Sequence, residues 1–118
     1  MSKLDGEDLT SQELAKAGKT GPRITREHIM AMLEQVEFRV STVEGKTTTF
    51  VHAYLEGKFF LGTGFSACVD PANYVAEIGE RIAREDAVNK AITKLWELEG
   101  YRLYQGLKKI PSQPEQPE

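Results

Sequence analysis

Between Gly62 and Trp96 the chain reads GTGFSACVDPANYVAEIGERIAREDAVNKAITKLW, and two regularities in it leave few folds open. Glycines at 62 and 64 fall on one face of a strand, where bare backbone lets a ligand or another segment come close. Downstream, Gly79, Ala83, Ala87 and Ala91 recur every fourth residue, a small-residue stripe along which a helix can approach a neighbouring surface. A helix packed closely on a sheet satisfies both. Asp70-Pro71 predicts the helix start, because Asp accepts from free backbone amides and Pro fits the first turn, where no N–H is needed.

The preceding residues supply the sheet. ITREHIMAMLEQ, residues 24–35, reads as a helix with Ile24 and Ile29 spaced as a hydrophobic staple. Val36, Phe38 and Val40 then alternate with polar residues as far as Glu44-Gly45, and strands are predicted near 47–55 and 58–68 around Glu56-Gly57-Lys58. The fold class is therefore α+β: a helix, a three-stranded antiparallel meander and a long C-terminal helix, in a single domain over residues 23–108. Gly100 is expected to end or bend that last helix. Residues 1–22 read as a mobile arm, in which Thr10 and Glu13 fit a capping box, and the proline-rich residues 109–118 as a disordered tail.

Composition narrows the function. The net charge is −3, but residues 22–109 carry equal numbers of acidic and basic side chains, so no concentrated basic face is expected for gripping phosphates. No apolar run approaches the ~18 residues of a membrane span, and the first residues are not signal-like, which predicts no membrane contact and a location in the cytoplasm. One cysteine and two histidines make no metal site, and no cofactor is implied. Cys68 reads as a small strand residue, His52 as a histidine paired on the sheet, and His28 is assigned no role. No nucleophile and base stand together, so action by binding rather than catalysis is expected.

The binding candidates lie at the strand-to-helix junction. A glycine-bearing strand leading into a helix N-terminus can hold phosphate, although Asp70 repels an anion there and the P-loop lysine is missing. The candidate ligand set is Gly62, Gly64, Ser66, Asn73 and Tyr74, with Arg81 and Arg84 as anion partners and Tyr74 or Trp96 for stacking. A second stripe on the helix runs Ile78, Ile82, Glu85, Asn89, Ile92, Trp96, with the four-three spacing of a heptad seam. Its two polar members need partners. Glu85, Asn89 and Trp96 therefore belong to a buried polar network or a subunit interface, to a ligand site, or to a helix broken near residue 85. A homo-oligomer is expected, through an interface on this seam or through the aromatic surface that Tyr101, Leu103 and Tyr104 offer beyond Gly100.

The phrases SACVDPANY (66–74), AREDA (83–87) and LEGY (98–101) resemble those of a family of short phage and prophage proteins, typified by gene product forty-nine of one phage and gene sixty-six of another. The resemblance covers roughly residues 25–104, with Asp86 where Asn is common and Tyr74 where Phe is. It implies a phage origin and assigns no catalytic residues. The expectation is a phage accessory protein for host takeover or defence evasion, binding a host protein or a nucleotide-like immune signal in the bacterial cytoplasm.

The order of elements is also similar to that of a double-stranded RNA-binding domain. Where that family carries a lysine cluster at the start of the last helix, this chain has Asp70, Glu77 and Glu80. A nucleic-acid-binding module using Arg81, Arg84, Lys90 and Lys94 is the alternative function.

Overall fold

Period-two alternation over residues 36–68 becomes three strands in the computed structural model, which describes residues 21–108 together with Glu13, Lys16 and Gly18. Helix α1 (Arg26–Leu33) precedes β1 (Val36–Thr42), β2 (Thr48–Leu55) and β3 (Phe59–Ala67), and α2 (Ala76–Lys108) closes the order after a single 3-10 turn at Pro71–Asn73. The strands form one antiparallel sheet in the order β1-β2-β3. The expected α+β architecture is the one observed. The expected tail and most of the expected arm lie outside the described residues. Residues 27–95 form one compact unit, and the remaining described residues of 21–108, namely 21–26 and 96–108, belong to a second.

Two tight turns set the strand register. Gly45, at φ +78°, takes the left-handed position in the turn closed by Lys46 N–H donating to Val43 O, a conformation that costs glycine nothing. Between β2 and β3, Glu56 and Gly57 both have positive φ and Lys58 N–H donates to Leu55 O, the primed geometry whose twist suits a hairpin. Register then slips by one residue at Ala53/Tyr54, a bulge that pairs Ala53 with Gly62 and Tyr54 with Phe60.

On the central strand, buried Thr49, Val51 and Ala53 alternate with half-buried Phe50, His52 and Tyr54. The buried face receives α2. Gly79, Ala83, Ala87, Ala91 and Leu95 are the buried residues of that helix, and Val51, Ala83 and Ala87 form a cluster against which Phe38 packs. The approach is closest at Gly64, where a β-carbon would lie 2.2 Å from Ala87 N and 2.5 Å from Ala83 O. Small residues on both partners are what permit a backbone-to-backbone contact between helix and strand.

Three expectations need correction. The Asp70-Pro71 signal starts only the 3-10 turn, with Asp70 accepting from Ala72 N–H at 3.0 Å; Tyr74 then returns to extended backbone (φ −76°, ψ 127°) and α2 begins at Ala76. Gly100 neither ends nor interrupts α2, which is bridged across it by Arg102 to Glu99 and continued by Gln105 donating to the Tyr101 hydroxyl. Finally, Glu85 and Asn89 are not buried within the chain, nor is the helix broken beside them. The small stripe takes the sheet, so the opposite seam faces outward: the Glu85 side chain is 66% exposed, Ile78 47% and Ile82 44%. Trp96 is half-buried, with its Nε1 buried and lacking a hydrogen-bond partner among the described residues.

Candidate functional site

The interruption between the 3-10 turn and α2 creates the principal concavity of the strand-to-helix junction. Thr47 Oγ1 donates to Cys68 O, and Cys68 N–H donates to Thr47 O, which ties the end of β3 to the start of β2. Cys68 Sγ donates to Asp70 O, and Tyr74 N–H to Pro71 O, so the connection is held at successive points. Tyr74 runs extended and Val75 precedes the first helical residue, and a cleft of about 440 Å³ opens there. Gly79 and Ser66 are among its lining residues, together with Phe65, Ala67 and Cys68 from the strand side. Asn73, Tyr74 and Val75 line it from the connection, and Ile78 and Ile82 from the helix.

Gly79 is what lets the strand and helix meet here. Ser66 Oγ donates to Gly79 O at 3.0 Å, and a β-carbon at 79 would stand 3.2 Å from Thr49 Oγ1 and 3.3 Å from Ser66 Oγ. The lining is mostly apolar, with the amide of Asn73 and the phenol of Tyr74 as its larger polar groups. Such a cleft suits a flat, partly apolar group fixed by a few hydrogen bonds.

The structure divides the candidate residues. Ser66, Asn73 and Tyr74 share the cleft. Gly64 is covered by the α2 backbone, so its bare backbone serves packing, and Gly62 lies beside the Lys90 side chain at ordinary contact distance. Arg81 and Arg84 line a different and more open groove of about 720 Å³ with Glu77, Glu80, Glu85, Val88 and Asn89. There Arg84 pairs with Glu80 at 2.9 Å and Arg81 with Glu85 at 3.8 Å. Three carboxylates outnumber two guanidinium groups, which leaves no excess positive charge for an anion.

One functional-looking constellation was not anticipated. Strand β3 is an edge strand, and an edge carries backbone groups able to pair with another chain. Two of them are occupied from α2: Phe65 N–H donates to Asp86 Oδ2 at 3.0 Å, and Lys90 Nζ donates to Thr63 O at 3.1 Å. Asp86 and Lys90 also pair with each other at 3.0 Å, and the ammonium lies 5.3 Å from the Phe65 ring centroid. The sequence signal was present as an acid four residues before a lysine on one helix. Nothing in that spacing shows a strand edge beside the pair.

This clamp gives a pH-dependent prediction. The Phe65 amide, followed by Lys90, holds the Asp86 carboxyl below its ordinary 3.8 despite the opposing effect of burial. A depressed carboxyl adds stability that is complete above the unfolded value and is lost as pH falls through the lower folded value. Asp86→Ala is expected to cost about 1 kcal/mol near neutrality, the weak end for a bond to a charged group because the pair is partly exposed. Urea unfolding at about pH 6 and about pH 2 should show that cost at the higher pH and near-equal stabilities at the lower.

On the other sheet face His52 bridges three strands, within 2.8 Å of Ser41 Oγ through Nε2 and of Thr63 Oγ1 through Nδ1. That is the paired sheet histidine expected. Neither cleft is lined by it. Among the described residues no three or more His, Cys, Asp or Glu side chains gather as a metal group, and no helix is long and apolar enough to cross a membrane.

Comparison with known proteins gives one match. The family model described as phage protein (N4 Gp49/phage Sf6 gene 66) matches residues 24–107. No curated protein and no solved structure matches the chain.

Proposed function

The chain belongs to the phage protein (N4 Gp49/phage Sf6 gene 66) family, and we propose that it is an accessory protein of host takeover or defence evasion that acts by binding in the host cytoplasm. The observation that carries this reading is the junction cleft, whose volume falls in the range of small-molecule sites. Its ligand is a nucleotide-like host signal, with the base against Tyr74 and hydrogen bonds to Asn73. The sugar and phosphates extend toward solvent, since Arg81 and Arg84 are committed to Glu85 and Glu80 on another groove. Sequestration needs no catalytic group.

Binding of duplex nucleic acid has weaker support. Of its four candidate cations, Arg81, Arg84 and Lys90 each face a carboxylate within salt-bridge distance. Calorimetric titration of the full chain with cyclic and ADP-ribose-like nucleotides tests the proposal. Saturable heat with at least one compound is expected; none across the panel would overturn nucleotide capture.

A further inference from the structure

The outward seam of α2 has a symmetry that the rest of the chain does not use. Its spacings, four-three-four-three-four from Ile78 to Trp96, read the same in both directions about Ala87. The side chains follow suit: apolar residues at both ends and Glu85 and Asn89 in the middle. In an antiparallel pair related by a two-fold axis level with Ala87 but on the opposite, outward side of the helix, Glu85 of each copy faces Asn89 of the other, while Ile82 faces Ile92. A pattern that is its own complement under a two-fold is what an isologous interface requires.

We infer that the occupant of this face is a second copy of the chain, docked antiparallel along α2. The chemistry selects that orientation. A carboxylate only accepts hydrogen bonds, and an amide can donate two, so Glu85 against Asn89 satisfies both. Parallel pairing would instead set Glu85 against Glu85 at one seam position, two like charges brought together. The Glu85 charge keeps a partner on its own helix, because Arg81 stands one turn earlier at 3.8 Å. The apolar residues supply the drive: Ile78 and Ile82 are 47% and 44% exposed in the single chain, and their burial between helices removes that surface from water.

The inference goes beyond the proposed function and needs no ligand, although it bears on the cleft. Ile78 and Ile82 line both the cleft and the seam, so the second copy would form the cleft's outer wall. Without it the cleft is open on that side.

Light scattering on the full chain is expected to give twice the 13.2 kDa of one copy. Ile82→Arg, a change at an outward position, is expected to reduce the mass to one copy with the circular dichroism spectrum unchanged. Orientation is read by disulfide trapping on a Cys68→Ser background. A mixture of Glu85→Cys and Asn89→Cys chains is expected to cross-link faster than either chain alone. A 13.2 kDa species for the unaltered chain, a dimer indifferent to Ile82→Arg, or Glu85→Cys chains linking most readily to themselves would each overturn the inference.

Discussion

Gly64→Ala is expected to destabilise the fold strongly. The added methyl would sit 2.2 Å from Ala87 N, 2.5 Å from Ala83 O and 2.7 Å from Ala87 Cα, all backbone atoms of a helix that has no side-chain rotation to offer. Relief requires α2 to lift from the sheet, and with it the contacts of Ala83 and Ala87 against Val51. Overpacking of this kind costs about 3 kcal/mol or more, a large part of the ~5–15 kcal/mol that holds a domain folded. Gly62→Ala is the control on the same strand face. Its β-carbon would meet Lys90 Cβ at 3.6 Å, an ordinary contact, so stability should stay within about 0.5 kcal/mol. Urea unfolding followed by circular dichroism separates the two.

The second large effect concerns ligand affinity. For a nucleotide that gives heat with the unaltered chain, Tyr74→Ala is expected to weaken binding at least about fivefold, the low end of what a base loses with its aromatic stacking partner. Ile78→Asp should do comparable damage by placing a charge on an apolar wall of the cleft. Arg81→Ala, by contrast, should change affinity no more than about twofold, since Arg81 lines the other groove beside Glu85. Equal losses for Tyr74→Ala and Arg81→Ala would place the ligand outside the cleft.

Most of the fold was legible because its signals are periodic. Alternation in Val36, Phe38 and Val40, glycines in the two turns and the small-residue stripe each specify local geometry, and the strands and the packed helix face follow. The misreadings share a different cause. An Asp-Pro cap initiates any helical turn, and nothing in PANYV shows that the turn stops after Asn73 and resumes at Ala76. That stop is what opens the cleft, so sequence could nominate Ser66, Asn73 and Tyr74 without showing the space they enclose.

The arginines illustrate the same limit. Arg81 and Arg84 are close to the junction in sequence, yet Ile78 and Ile82 line its cleft while the arginines turn to the neighbouring groove. Glu85 and Asn89 were recognisable as polar members of an apolar seam, but a helix with two stripes does not announce which one its own sheet will take. The sheet took the small stripe, because Gly64 admits a helix backbone only where the helix is itself bare.

Cys68 provides the most direct measurement of whether the cleft is the binding site. It lines the cleft and is the only cysteine of the chain. Its rate of modification by a thiol reagent can be followed with and without a nucleotide that gives calorimetric heat. Occupancy of the cleft predicts slower labelling as nucleotide is added, with half-protection at the calorimetric dissociation constant and with protection lost in Tyr74→Ala. Saturable heat accompanied by an unchanged labelling rate would contradict it.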